Sequence, residues 1–226
     1  MRIAIILRDS KNACFFRDAL IGSIASGAGD NALLCSGFFQ ENFKAITRPT
    51  YQASQEQGFI PSLLKTNTKL ELIGIHNNIW RPSYAKFCQS ISKRGVLLDA
   101  YLMRGFNWHA KIFILKKKGE PVFGIIGSSN ITANAFGVSG NLNKKKNSRP
   151  VIPVKFNYEC DVYLWNKTNI KIDNMIKKLS ESDAFSEKLI FSEYSLEQNK
   201  GITIEQRLKN LDEKIHNLQL DEFTYN

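Results

Sequence analysis

Two apolar runs stand back to back in this chain, His109 to Leu115 and Val122 to Ile126, with Lys116-Lys117-Lys118-Gly119 between them. The first opens on Trp108-His109-Ala110-Lys111, and the second closes on Gly127-Ser128-Ser129-Asn130. In an extended chain side chains at i and i+2 point to one face, so His109 and Lys111 share a side while Ala110 and Ile112 face the other. The second run is apolar on both faces and ends in a polar loop, the pattern of a buried strand reaching the edge of a fold. The two runs are therefore expected to be neighbouring strands of a hairpin, with both polar clusters at one rim of a sheet.

That rim would gather an imidazole, an ammonium, a hydroxyl and a carboxamide. His109 suits attack on phosphorus, and Lys111 suits a non-bridging phosphoryl oxygen. Ser128 and Asn130 suit hydrogen bonds to the charge that grows on the phosphoryl group. Nothing in this set requires a metal ion or another cofactor. Gly127 to Asn130 also reads as a turn followed by a helix cap, with Asn130 or Thr132 capping a short segment from Ala133 to Phe136.

His109-Ala110-Lys111 followed by Gly127-Ser128-Ser129-Asn130 resembles the signature of the phospholipase D superfamily. The family's first motif carries an Asp five residues after the Lys, where this chain has Lys116. The departure points away from the lipid-directed members and toward the branch holding nucleases and type II restriction endonucleases. The resemblance spans residues 30 to 165, with its specific part at 107–132.

The resemblance implies a mechanism. The motif His is the nucleophile and forms a phosphohistidine, while a second such His protonates the leaving oxygen. This chain has one copy of the motif, and His76 and His216 lie in no comparable context. A homodimer with the active site at the subunit interface is thus implied. The family also places a Glu after the Gly-Ser-x-Asn strand to orient the His. Glu159, on a strand expected from Phe156 to Trp165, suits that place, although pairing with one of the many lysines is an alternative.

Charge bounds the partner. Lys and Arg number 31 against 21 Asp and Glu, a formal net charge of +10. A surplus of this kind favours a polyanion, because neutralising phosphates releases counterions. It is concentrated before residue 156, so double-stranded DNA is expected against that part. The stretch Ser139 to Pro153, inside a 138–155 loop, is basic and punctuated by Gly and Pro. Lys144, Lys145, Lys146 and Arg149 would clamp a DNA backbone there, or merely be solvated. Arg104, like Arg81, flanks the site and suits a phosphate more than a guanine edge.

The four cysteines, Cys14, Cys35, Cys88 and Cys160, form no CxxC pair and no ligand spacing with His, so they are expected to be buried thiols in a reducing compartment. Arg2 to Leu7 is too short for a signal segment, and no apolar run approaches the roughly 20 residues of a membrane span. A cytoplasmic protein with no membrane partner follows.

The 226 residues alternate strand and helix. Helices are expected at 12–26, 57–65 and 82–93, the last with Pro82 in its first turn, and strands at 31–39, 69–76 and 96–103 before the two catalytic strands. The expected fold is α/β, a phospholipase D-like mixed β-sheet flanked by helices on both faces. Residues 1–168 form the catalytic nuclease domain in this reading. Residues 169–226 form a small helical extension, with helices at 170–180 and 203–219 and Leu208, Leu211, Ile215 and Leu218 at helical spacing.

These readings converge on a metal-independent endonuclease of the type II restriction kind, with a cognate DNA methyltransferase as a possible partner. The alternatives are a phospholipid-processing enzyme and a catalytically silent nucleic-acid-binding subunit of a defence complex. No segment matches a helix-turn-helix or zinc-finger reader of DNA.

Overall fold

The computed structural model describes residues 1–8, 14–43, 50–105, 111–137, 158–181 and 189–225. The hairpin is present. Strand β5 (Lys111–Lys117) pairs antiparallel with β6 (Glu120–Gly127), Lys117 facing Glu120 and Lys111 facing Gly127. Its two-residue loop needs positive φ at both positions, and Lys118 and Gly119 adopt φ of 52° and 83°. Lys118 accepts this conformation with its N–H donated to both oxygens of the Asp30 carboxylate, at 3.1 and 3.2 Å.

Around the hairpin the sheet grows in both directions. On one side lie β7 (Glu159–Trp165), then β1 (Arg2–Arg8), then β8 (Leu189–Glu193) at the edge; on the other lie β2 (Asn31–Cys35), β3 (Lys69–Ile75), β4 (Leu98–Met103) and the edge strand β9 (Leu220–Glu222). The β2, β3 and β4 strands run parallel and the remaining pairs antiparallel. Parallel neighbours need crossovers, and α2 (Phe59–Thr66) and α3 (Arg81–Ser92) supply them. Pro82 does fall in the first turn of α3, where its missing N–H is not needed.

Helix α1 (Phe15–Ala25), α2, α3 and α4 (Ile170–Ser180) cover one face of the sheet. Phe15, Leu20, Ile60, Phe87, Ile172 and Ile176 pack there with Ile6, Phe113, Phe123 and Tyr163 in the main core. Helix α5 (Ile204–His216) covers part of the other face, where Ile204, Leu208 and Ile215 meet Leu33, Cys35, Ile73, Ile112 and Ile114. Each such side chain, fully buried, contributes roughly 1.5–3 kcal/mol. The mixed sheet with helices on both faces is the expected architecture.

The tail is helical in α4 and α5, capped by Asn169 and Thr203, but it also supplies both edge strands. Strand β8 is exposed on both faces and β9 has three residues, so neither carries a long apolar run that periodicity reveals. Strand β1 likewise escapes the sequence reading as an element, although its buried face is regular at Ala4, Ile6 and Arg8. Two cysteines differ from expectation. Cys35 and Cys88 are buried, whereas Cys14 is partly exposed and Cys160 exposed. Cys160 alternates with the buried Asp161 on β7 and so faces the opposite side, beside the half-exposed Leu7.

Candidate active site

The rim is the end of the sheet where β5 begins and β6 ends. Cross-strand register sets its order: Lys111 faces Gly127, Gly127 faces Asp161, and Arg8 faces Glu159. Lys111, Glu159, Asp161 and Arg8 therefore project from the face that α1 to α4 cover, whereas Ile112 projects to the α5 side. Adjacent strands lie about 4.8 Å apart, so Glu159 and Asp161 stand two strands from Lys111 and Arg8 one strand further along the same rim.

Each described site residue has a definite setting. Lys111 is half-buried, and burial lowers its pKa while the Glu159 and Asp161 carboxylates draw it back up. Ser128 continues the ladder: its N–H donates to the Cys160 carbonyl at 3.2 Å, and its Oγ accepts from the Cys160 N–H at 3.1 Å. A hydroxyl that accepts in this way still has its proton to donate. Asn130 Oδ1 accepts from the Phe38 N–H at 3.2 Å and lies 3.1 Å from Ser36 Oγ. With its oxygen fixed there, the carboxamide turns its NH2 group the other way, as a donor. Thr132, not Asn130, caps the following turn, its Oγ1 accepting from Ala135 N–H at 3.2 Å.

Beneath this layer lies a network absent from the sequence reading. Ser129 is fully buried. Its Oγ donates to Asp161 Oδ2 at 2.6 Å and its N–H to Oδ1 at 3.3 Å, while an Arg8 NH2 group donates to Ser129 Oγ at 3.1 Å. Arg8 also donates to the Ala135 carbonyl. Burial raises the Asp161 pKa, against the pull of Ser129 and Arg8, and burial likewise lowers that of Arg8, against Asp161 and Glu159. The network ties the loop after β6 to β1 and β7. Its signals in the sequence are slight: a basic residue closing the Ile3 to Leu7 run, and an acid two positions after Glu159.

Gly127 explains the first letter of the motif. A Cβ there would come within 2.7 Å of the Cys160 carbonyl oxygen, so only Gly lets β6 approach β7 at this point.

The remaining expected residues fall elsewhere. His109 lies outside the described residues, as do Lys144, Lys145, Lys146 and Arg149. Arg104 follows β4 at the same end of the sheet, three strands from Lys111, or about 14 Å. It hydrogen-bonds the Asp221 carboxylate. Lys116, where the resemblance expects an Asp, is buried at the far end of β5. Its Nζ sits 3.1 and 3.0 Å from the two Asp212 carboxylate oxygens on α5 and 3.6 Å from Glu71. His216 joins the cluster, Nε2 bonding Glu71 Oε1 and Nδ1 lying 2.8 Å from the Asp212 carbonyl. Here the basic residue is structural, since it holds α5 to the sheet.

Among the described residues no group of three or more His, Cys, Asp or Glu is arranged to hold a metal ion. No helix among them is long and apolar enough to cross a membrane.

An α/β fold whose sheet rim presents an ammonium, a hydroxyl and a carboxamide donor over a buried Arg-Ser-Asp network has a site suited to an oxyanion. Residues 72–149, about a third of the chain, match the family model described as the NgoFVII restriction endonuclease N-terminal PLD domain. Over that stretch the chain is similar to the phospholipase D-like domain of a restriction endonuclease. Among solved structures, Nuc from Salmonella typhimurium, a phospholipase D family member, aligns over 72% of this chain and 83% of its own, at 18% identity and a TM-score of 0.35. TrmBL2, an archaeal chromatin protein described as showing a novel mode of DNA binding, aligns over 80% of this chain and 51% of its own, at 14% identity and a TM-score of 0.36. No curated protein matches the chain.

Proposed function

We propose that this protein is a metal-independent endonuclease of the type II restriction kind, acting on double-stranded DNA as a homodimer in the cytoplasm. The observation that carries the reading is the convergence of Lys111, Ser128, Asn130 and Glu159 on the rim where β5 emerges, directly after His109, in a chain whose matching domain is that of a restriction endonuclease.

In this reading an imidazole nitrogen of His109 attacks phosphorus and a P–N bond forms as the P–O bond to the leaving nucleotide breaks. The partner subunit's His109 gives its proton to the departing oxygen. Water then attacks phosphorus as the partner's imidazole takes its proton, the P–N bond breaks, and the phosphate end of the strand leaves with His109 regenerated. Lys111 holds a non-bridging oxygen, the Ser128 hydroxyl and Asn130 amide donate to the developing charge, and Glu159 orients His109. The catalytic part is residues 1–168, with 169–226 as an extension. Lys144, Lys145, Lys146, Arg149 and Arg104 contact the DNA backbone, and a cognate methyltransferase shields the host's sites.

The test is cleavage of plasmid DNA by wild type and by His109→Ala, with and without EDTA. Cleavage that persists in EDTA and disappears in His109→Ala is expected. Strict dependence on magnesium overturns the mechanism. Hydrolysis of phosphatidylcholine in place of DNA, or DNA binding with no cleavage, overturns the assignment.

A further inference from the structure

Phe38, Phe43 and Trp80 form an aromatic group at the same rim, and the phosphodiester chemistry above leaves it without a use. The Phe38 ring lies 5.1 Å from that of Phe43 at 67° and 5.6 Å from that of Trp80 at 45°. All three are half-buried. Core packing is done by the adjacent Phe39, which is fully buried 5.0 Å from Tyr84 and 5.1 Å from Phe87. Phe38 turns outward instead.

Rigid elements hold the group. Phe38 follows β2 by three residues. Its N–H donates to Asn130 Oδ1, so the bond that aims the Asn130 amide also fixes Phe38. Trp80 stands at the start of α3, where the Asn77 side chain accepts from the N–H groups of Ile79 and Trp80 at 2.9 and 3.3 Å. His76 and Arg81 are exposed on the same short segment, as is Ile79, at 67%. Partly exposed rings, one hydrogen bond from a phosphoryl-binding amide, match the chemistry of a nucleotide: phosphate on the donors, base on the rings.

We infer that Phe38, Phe43 and Trp80 form a stacking platform for an unpaired nucleobase flanking the phosphodiester held at Lys111 and Asn130. The inference rests on the proposed nuclease reading and deepens it: the substrate is single-stranded at that nucleotide, or its base has left the duplex stack. Stacking of this kind tolerates any base, because every base has a π-face.

The experiment measures binding and cleavage of short single-stranded oligonucleotides carrying an abasic residue at each position in turn, by wild type, Trp80→Ala, Trp80→Phe and Phe38→Leu. In wild type one abasic position weakens binding about tenfold. That penalty disappears in Trp80→Ala and largely survives in Trp80→Phe. Phe38→Leu, which keeps apolar bulk and loses the ring, reports the same coupling if Trp80→Ala fails to fold. An abasic penalty equal in wild type and the ring-deleted variants overturns the platform, as does its absence at every position in wild type. Coupled binding keeps the platform whether or not the single strands are cut, and plasmid cleavage by the same wild-type protein decides the nuclease reading; cleavage without coupling overturns the platform alone. No binding to any single strand overturns the platform and leaves the nuclease reading to the plasmid assay.

Discussion

Ser129 Oγ donates a hydrogen bond to Asp161 Oδ2 at 2.6 Å, in a region from which water is excluded, with Arg8 on the other side of the hydroxyl. This contact holds the loop that presents Ser128 and Asn130. Removing the acid takes from the buried Arg8 guanidinium the larger of its two carboxylate attractions and leaves Ser129 without its acceptor, so Asp161→Ala should cost about 3 kcal/mol and Asp161→Asn, which keeps an acceptor, about half as much. Urea unfolding measures the stability. Asp161→Asn should lower kcat more than it changes KM, since a misplaced loop weakens transition-state contacts.

Gly127→Ala should be destabilising by about 1–3 kcal/mol, because the new methyl group meets both the buried Asp161 carboxylate, which Ser129 holds in place, and the backbone carbonyl of Cys160. Relief requires β6 and β7 to separate at the rim, displacing Ser128. Cleavage should fall at least tenfold even under conditions where circular dichroism shows the variant folded.

Lys116→Asp, which restores the residue that the family's motif carries, should not improve activity. It would place a third carboxylate beside Glu71 and Asp212, costing about 3–5 kcal/mol. Asp212→Lys in the same chain should recover part of the loss. A double-mutant cycle in urea measures the coupling, and a non-interacting pair would give simple additivity.

Stability should fall as pH rises from neutral. The hydrogen bond to Glu71 raises the His216 pKa from 6.5 to about 9, against the opposing effect of burial. The folded state thus favours the protonated ring. Its contribution is fully present below the unfolded value and is lost as pH rises through about 9. The ring is partly solvated, with 38% side-chain exposure, so the effect should be about 1 kcal/mol rather than the full linkage value. Comparing urea midpoints at pH 6 and pH 9.5 measures it, and His216→Gln should abolish the difference.

Lys111→Ala should reduce kcat far more than DNA affinity, because one phosphate contact is a small part of a large basic surface. Burial lowers the Lys111 pKa, so the alkaline limb of the kcat profile should lie below the ordinary lysine value of 10.5. Glu159→Gln removes a charge that holds this pKa up, and the limb should move to lower pH. A limb that stays in place would separate Lys111 from the reaction.

Much of this protein was determined by local sequence alone. The apolar runs Ile112 to Leu115 and Val122 to Ile126 specify two strands, short runs that a sheet buries on both faces, and Lys118-Gly119 specifies the turn between them. From these, the placement of Lys111, Ser128 and Asn130 on one rim follows by register. Tertiary structure alone decided the rest. Arg8 and Asp161 are 153 positions apart, and no local pattern announces that β1 will lie against β7. The exchange of the family's Asp for Lys116 likewise has no meaning until α5 brings Asp212 to it. Ser129 looked like the spare residue of its motif, and it became the most buried of the four because β6, β7 and β1 close over it. Strand periodicity is a property of neighbours along the chain, whereas the partners of a buried charge are set by which distant segments the core draws together.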